Sequence, residues 1–527
     1  MFIKIALMAV FFAVMLLVGF YCRKRANGVE GFVLGGRSVG PWLTAFAYGT
    51  SYFSAVVFVG YAGQFGWKYG IAAAWAGIGN ALIGSLLAWA VLGRRTRVMS
   101  QHLGSSTMPQ FFESRYNSKA LKLAASALIF VFLIPYTASL YNGLSRLFGM
   151  AFNVDYTICV VAMSVLTAIY VIVGGYMATA INDFIQGLVM LVGIVAVIVA
   201  VLNGQGGLTA AMNELSHVTD LSVSQSAGAF TSFFGPDPVN LLGVVLLTSL
   251  GTWGLPQMVQ KFYAIKDEKA INKGMIISTL FALIVAGGCY FLGGFGRLFA
   301  DRVNPAVDGF DAIVPAMLSD LTPFLIAVVV VLVLSASMST LSSLVLASSS
   351  TLTLDFIKGT FVKQLSEKKQ LFVMRVLIAV FIVISAVIAI LQHQSNVTFI
   401  AQLMGISWGA LAGAFLAPFL YGLFNKRITV PAVLVNFVFS TVVMIANMVY
   451  PDVFGMMGLS LLRSPINAGV FCMLSGLVLV PLVSVLTKAP DKSFVDSVFA
   501  CYKKKVVVSA TDAIGEPIEQ EETVCNN

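Results

Sequence analysis

Between Leu334 and Asp355 the chain reads L-S-A-S-M-S-T-L-S-S-L-V-L-A-S-S-S-T-L-T-L-D. Eleven hydroxyl side chains fall in the nineteen residues from Ser335 to Thr353, continuing an apolar run that begins at Phe324. Such a helix cannot face lipid alone, because polar groups in hydrocarbon cost free energy unless they find partners. At 3.6 residues per turn, Ala336, Ser339, Thr340 and Ser343 share one face, with Ser342 flanking it. An uncharged face of oxygens suits a small hard cation that must bind and then leave, since oxygen ligands match such ions in hardness. Serines and threonines also join helix to helix by close packing and shared hydrogen bonds. The hydroxyl density, together with a second polar stretch near Thr50, favours ion binding.

That second stretch is A-F-A-Y-G-T-S-Y-F-S-A-V-V-F-V-G-Y-A-G-Q-F-G-W-K-Y-G, from Ala45 to Gly70, uncharged until Lys68. Gly49, Thr50, Ser51, Tyr52 and Ser54 near its middle favour a local break. Freed carbonyls are tolerable in a membrane only where they line a cavity, and broken helices are where secondary transporters hold solute and ions. Close packing through Gly49 and Gly60 is the alternative. A second break is expected in T-S-L-G-T-W-G-L-P-Q, Thr248 to Gln257, at Gly251, Gly254 and Pro256. Tyr52, Ser54, Asn80 and Thr252 are expected to line one midplane solute pocket, and Gln402 is a further polar candidate for solute contact. Asp183 lies in G-G-Y-M-A-T-A-I-N-D-F-I-Q-G, Gly174 to Gly187, just before an apolar run. It is either a helix cap or, beside the hydroxyl helix, an ion ligand.

The elements that must position these residues follow from composition. Of 527 residues, 58% are hydrophobic and only 10% charged, where a soluble protein carries about a quarter charged. The fold class is an all-α polytopic membrane protein. Apolar runs of spanning length give thirteen expected spans at about 2–21, 42–66, 71–92, 121–148, 156–173, 182–203, 239–262, 274–298, 323–355, 373–391, 399–424, 429–450 and 465–487. With the N-terminus outside and the C-terminus cytoplasmic, 26 of the 32 Lys and Arg residues fall on the cytoplasmic side, as the positive-inside rule requires. The net charge of +9 is therefore a topology signal for an inner or plasma membrane, not a nucleic-acid footprint.

Other chemistries find no support. The six cysteines form no C-x-x-C pair and the three histidines are dispersed, so neither a zinc site nor a disulfide framework is indicated. G-F-V-L-G-G-R-S-V-G-P-W lacks the strand and the lysine-serine end of a phosphate loop. No H-E-x-x-H or G-x-S-x-G appears, and no enzyme is expected. Met1 to Tyr21 lacks the basic start of a cleavable signal.

The broken seventh span lies five spans after the broken second, and an odd offset inverts its orientation. That arithmetic describes inverted repeats. The expected division is an added N-terminal helix and linker at 1–40, a first five-helix repeat at 41–204 and an outer loop at 205–238. A second, inverted repeat follows at 239–425, then two C-terminal helices at 426–487 and a disordered cytoplasmic tail at 488–527 whose lysines meet anionic lipid.

The chain resembles the sodium/solute symporter family, whose members carry proline, pantothenate, sugars and sialic acid. The resemblance rests on G-G-R-S at Gly35–Ser38, the break at Thr50–Ala55, the Gly174–Gln186 motif, and A-S-M-S-T-L-S-S at Ala336–Ser343. It implies a leucine-transporter-type fold of inverted five-helix repeats with about 13 transmembrane helices. It also implies a coupling sodium held by the carbonyls of Thr50, Phe53 and Ala336 and the hydroxyls of Ser339 and Thr340. Some members bind a second sodium, for which Asp183, Ser342 and Ser343 occupy the matching places; Asn182 departs from the threonine many members have. Proline carriers of the family have an aspartate and a tryptophan where this chain has Tyr52 and Val56. Their tryptophan and tyrosine in the second broken helix align with Thr248 and Thr252. The pattern of pantothenate carriers is more similar, through Tyr52, Ser54-Ala55, Phe58, Gly60, Lys68-Tyr69-Gly70 and Gly254-Leu255-Pro256. The resemblance thus implies sodium-coupled import of a small organic solute, a carboxylate such as pantothenate, with proline as the alternative. Sodium is the coupling ion and not a cofactor. The expected partners are solute, sodium and the bilayer, with no obligate protein partner. A carrier-like solute sensor is the competing class, but no signalling module is read after Lys488.

Overall fold

A computed structural model describes residues 2–503, apart from residues 27, 153–154, 222, 225, 359–361, 363–364 and 396–399. Lys504, Lys505 and the acidic stretch of the tail lie outside the described residues, as does the side chain of Tyr52; the start of the expected disordered tail is instead ordered, with a helix at Lys492–Phe499 that buries Val495, Val498 and Phe499. The described chain is helical almost throughout, with only isolated β-bridges. In hydrocarbon a helix satisfies its own backbone polar groups. The elements used below are α1 (Phe2–Cys22), α2 (Pro41–Tyr52), α3 (Ala62–Tyr69), α4 (Lys119–Phe152), α5 (Tyr156–Gly204), α6 (Pro238–Leu250), α7 (Pro256–Ala264), α8 (Glu268–Gly293), α9 (Pro323–Thr351), α10 (Glu367–Ser395), α11 (Ile400–Phe424), α12 (Val430–Val449) and α13 (Pro465–Leu486). Proline stands in the first turn of α2, α6, α7, α9, α12 and α13, where its missing N–H costs nothing.

Among the described residues ten helices are long and apolar enough to cross a membrane, or eleven if the bent pair Pro238–Gly254 and Pro256–Ala264 is one span. α5 carries two of the thirteen expected spans in its 49 residues, as two helices joined at a kink. Kept straight it would be about 74 Å long, more than twice the ~30 Å hydrocarbon core. It turns at Gly175, where φ is 56° and ψ is −153°, a conformation open in practice only to glycine. Val56–His102 is likewise one long helical run, interrupted at Gly70 with φ 62° and ψ −142°.

The turn at Gly175 corrects the placement of Asp183. The helix after it begins at Tyr176, six residues before the expected start at 182, so Asp183 lies two turns inside and is not a cap.

α9 is the centre of the bundle. Every residue from Leu332 to Thr351 is buried, enclosed by α1, α2, α4, α5, α7 and α10. The hydroxyl-rich helix therefore faces protein all round. α1 packs against α5 and α9 while leaving much of its apolar surface exposed.

A Cβ on Gly175 would sit 2.9 Å from the carbonyl oxygen of Phe32. Gly175→Ala should cost about 1–3 kcal/mol and lower the melting temperature of the detergent-purified protein in a fluorescence size-exclusion assay. An unchanged melting curve would mean that this turn does not require glycine.

Candidate cation and solute site

α2 ends at Phe53, whose φ of −86° and ψ of 114° leave the helix, and helical structure resumes at Ala55. The break releases the carbonyls of the last turn of α2. α9 crosses beside it and supplies the missing partners. Thr340 Oγ1 lies 3.1 Å from the Thr50 carbonyl, 3.3 Å from that of Phe53 and 3.1 Å from that of Ala336. Ser339 Oγ lies 3.2 Å from the carbonyls of both Thr50 and Ala336. All five oxygens anticipated for a first sodium thus converge on one buried point. A cation with oxygens at about 2.4 Å sets neighbouring ligands at right angles about 3.4 Å apart, close to the spacings here.

The solute candidates separate into two groups. Thr248 donates to the Val244 carbonyl at 2.8 Å, and Thr252 donates to the carbonyls of Ser249 and Gly84 at 2.9 and 3.2 Å. Asn80 faces Ser249 at 3.2 Å and, with its amide turned, Thr248 Oγ1 at 3.0 Å. These three residues join the helical run 74–102 to α6, so helix packing claims most of their hydrogen-bonding capacity. Ser54 stands elsewhere, in a buried group with Tyr136 of α4 and Trp408 of α11. The rings of Tyr136 and Trp408 meet edge to face at 6.0 Å. The polar tips of Ser54 and Trp408 face the Tyr136 hydroxyl, so three polar groups meet in this buried space. A Cβ on Gly251 would stand 3.4 Å from the Trp408 ring, so the two groups lie near one another. Tyr136 and Trp408 are visible in the sequence only as isolated polar-tipped aromatics.

Gln402 is not in that buried group. It lines a cavity of about 590 Å³ with Gln64, Lys68, Asp237, Asn240 and Arg463. This cavity lies at the end of α3 and the starts of α6 and α13, the side that the basic-residue bias assigns to the outside. Nearby, Arg297 clamps the loop after α5: it pairs with Asp220 at 2.9 Å and stacks on Phe230 at 3.9 Å. Burial pulls its guanidinium below the ordinary value, and Asp220 opposes that shift.

At the opposite ends the broken helices are tied together. Val39 N donates to the Ala264 carbonyl at 3.2 Å, and Lys266 N donates to the Val39 carbonyl at 3.1 Å. Arg37 donates to the carbonyls of Ser105 and Tyr263 at 2.7 and 3.3 Å, and pairs with Glu30 at 2.8 Å. Thr107 donates to Asp355 at 2.6 Å.

One charged residue in the site was not anticipated. Lys261 on α7, fully buried, brings its Nζ to 3.7 Å from Asp183 Oδ2 and donates to Ser343 Oγ at 3.0 Å. Ser343 meets Ser51 at 2.9 Å, and Ser51 donates to the Ala47 carbonyl at 2.5 Å. Ser342 donates to the Ser339 carbonyl at 2.9 Å. Of the residues expected around a second sodium, Asp183 and Ser343 therefore lie together around a lysine ammonium, while Ser342 bonds to its own helix. Lys261 reads in the sequence as one more basic residue near the cytoplasmic end of an apolar span.

A bundle with two broken helices, an oxygen cage between one of them and a hydroxyl-rich helix, and a cavity on one side is the architecture of a secondary transporter. Known proteins agree. The model of the sodium:solute symporter family matches residues 32–439. A sodium/proline symporter of Staphylococcus aureus (strain JH9) is 30% identical over 434 residues, covering 80% of this chain and 81% of that protein. The fold is similar to that of a substrate-bound, outward-open sodium-coupled sialic acid symporter. The TM-score is 0.73 at 18% identity, over 93% of this chain and 99% of the other. The nucleobase-cation-symport transporter Mhp1, in a closed conformation, is similar at a TM-score of 0.50 and 13% identity, over 88% and 97% of the two chains. The chain belongs to the sodium:solute symporter family. It is a multi-pass membrane transporter and not an enzyme.

The ties at the ends opposite the Gln402 cavity generate a test. Arg37→Ala removes charge-assisted hydrogen bonds that are each worth about 1.5–3 kcal/mol. Amide hydrogen exchange should speed up at least about tenfold in residues 38–44 and 261–266, with residues 64–70 unaffected. Equal protection in wild type and variant would remove Arg37 from the closure.

Proposed function

We propose that this chain imports a small organic solute together with sodium, and that Thr50, Phe53, Ala336, Ser339 and Thr340 bind the ion. The observation that carries the reading is the convergence of those five oxygens where a broken helix meets a hydroxyl-rich one. Two of the ligands are hydroxyls whose protons turn outward when a cation accepts their lone pairs. The cage has no carboxylate of its own, so the ion is released once the cavity opens inward. Each sodium moving down the membrane potential supplies about 2.3 kcal/mol per 100 mV.

The solute occupies the space beside Ser54, Tyr136 and Trp408, with Tyr52 on the same segment and Asn80, Thr248 and Thr252 behind it. It enters through the cavity lined by Gln402. Lys68 and Arg463 in that cavity, against the single carboxylate of Asp237, favour an organic anion such as pantothenate. The repeats 41–204 and 239–425 move against one another to alternate access, and the added helix at 1–40 and the helices of 426–487 flank them. Proline is the second reading, supported by the name of the Staphylococcus aureus relative at 30% identity.

Proteoliposome uptake of labelled pantothenate and labelled proline under an inward sodium gradient tests this. Pantothenate should accumulate, only with sodium, and excess proline should not compete. Ser339→Ala and Thr340→Ala should each raise the sodium needed for half-maximal uptake about tenfold, with normal amounts of inserted protein. Proline accumulation in its place would restore the amino-acid reading. Accumulation indifferent to sodium would overturn the symport reading.

A further inference from the structure

We infer that Lys261 is a built-in cation. Its ammonium holds the position at Asp183 and Ser343 that a second sodium would need, so the chain binds one sodium per cycle. The inference rests on the sodium-symport reading and sharpens its stoichiometry.

Asp183 is completely buried on α5, and neither carboxylate oxygen makes a hydrogen bond within the geometric limits. A buried carboxylate needs a compensating charge, and the ammonium of Lys261 supplies it at 3.7 Å. Lys261 is held in place from several sides. Its side chain is 1% exposed, Nζ stands 5.1 Å from the centre of the Tyr176 ring, and Nζ donates to Ser343 at 3.0 Å.

The hydroxyl chain beyond it is polarised. Ser51 donates to the Ala47 carbonyl, which leaves Ser51 Oγ to accept from Ser343, whose own oxygen faces the ammonium. Every lone pair along this path points toward Lys261. A sodium ion at Asp183 and Ser343 would compete for the same lone pairs. It would also leave one carboxylate facing two cations in a closed space. The charge of the pair is balanced without it.

The chain of bonds ends on Ser51, adjacent to Thr50, whose carbonyl belongs to the first cage. Lys261 thus also ties α7, the inner half of the second broken helix, to the last turn of the first. It is a positioning residue for the sodium cage as well as a resident charge.

Equilibrium binding of ²²Na⁺ to the purified, monodisperse full-length protein in detergent tests the inference. Wild type should bind one sodium per chain without cooperativity, and Thr340→Ala should lose it at the same concentration. Lys261→Met keeps the length of the side chain and removes the charge, so Asp183 should recruit a sodium and the count should rise to two. Two sodium ions on wild type, or an unchanged count in a folded Lys261→Met protein, would overturn the inference while leaving sodium symport standing. No sodium on wild type would overturn both. If Lys261→Met does not assemble, the charge-neutral Asp183→Asn/Lys261→Met variant replaces it. A count of one then upholds the inference, and a count below wild type overturns it.

Discussion

The structure depends on one constraint: a carbonyl freed inside a membrane must be met by another polar group. Breaking the helix at Phe53 and Ser54 releases the carbonyls of Thr50 and Phe53, and the hydroxyls of Ser339 and Thr340 meet them. This explains why a helix so rich in serine lies at the centre of the bundle and not at its edge. It also explains why the hydroxyl groups repeat through several turns, since neighbouring helices present polar atoms along the whole length of α9. Tyr170 donates to the Met338 carbonyl at 2.9 Å, and Ser51 meets Ser343 at the same distance. The proposed cation cage is the part of this network where the carbonyls freed by the break meet the hydroxyls of Ser339 and Thr340.

Much of this arrangement was legible in the sequence because it is written locally. Eleven hydroxyls in nineteen residues signal a polar face, and Gly49 through Ser54 signal a break. The same holds for the second broken helix, where Gly251, Gly254 and Pro256 bracket the change of direction at Leu255. Gly175 illustrates a weaker signal. The pair Gly174-Gly175 sits between apolar runs, but only the backbone conformation reveals that the following helix starts at Tyr176. The expected boundary at 182 put Asp183 on a helix end, and the error arose because the residues after Gly175 are themselves apolar enough to read as either loop or span.

What the sequence concealed was long-range. Lys261 lies close to the expected cytoplasmic end of the seventh span, where lysine ordinarily extends its ammonium to the membrane surface. The 48° bend between α6 and α7 redirects it toward α5, and its partners Asp183 and Ser343 lie 78 and 82 positions away. Nothing local distinguishes such a lysine from a topology marker. Asn80, Thr248 and Thr252 carry a different ambiguity. Isolated polar residues in apolar spans look like solute contacts, yet here they largely satisfy one another and nearby carbonyls across a helix pair. Tyr136 and Trp408 were hard to value because an aromatic ring explains itself as packing, and only the meeting of their polar tips with Ser54 shows a polar group.

The two cation positions differ in a way that suits different tasks. The proposed cage at Thr340 is built from neutral oxygens, so its hold on an ion would be set by geometry. The position at Asp183 carries full charges of both signs. Replacing a buried ion pair by apolar residues is often neutral or stabilising, so stability is a poor explanation for placing one here. A covalently attached ammonium, however, cannot leave with the solute or exchange with the medium. It ties α5, α7 and α9 together through Asp183, Lys261 and Ser343. The neutral cage next to it can then fill and empty against a fixed electrostatic background. Removing either charge of the pair leaves the other buried and uncompensated, at a cost of roughly 3–5 kcal/mol. That exceeds the roughly 2.3 kcal/mol one sodium gains per 100 mV of membrane potential. An uncompensated charge of that size would outweigh the coupling ion, so the balance at Asp183 and Lys261 is a condition for the proposed cage to control transport.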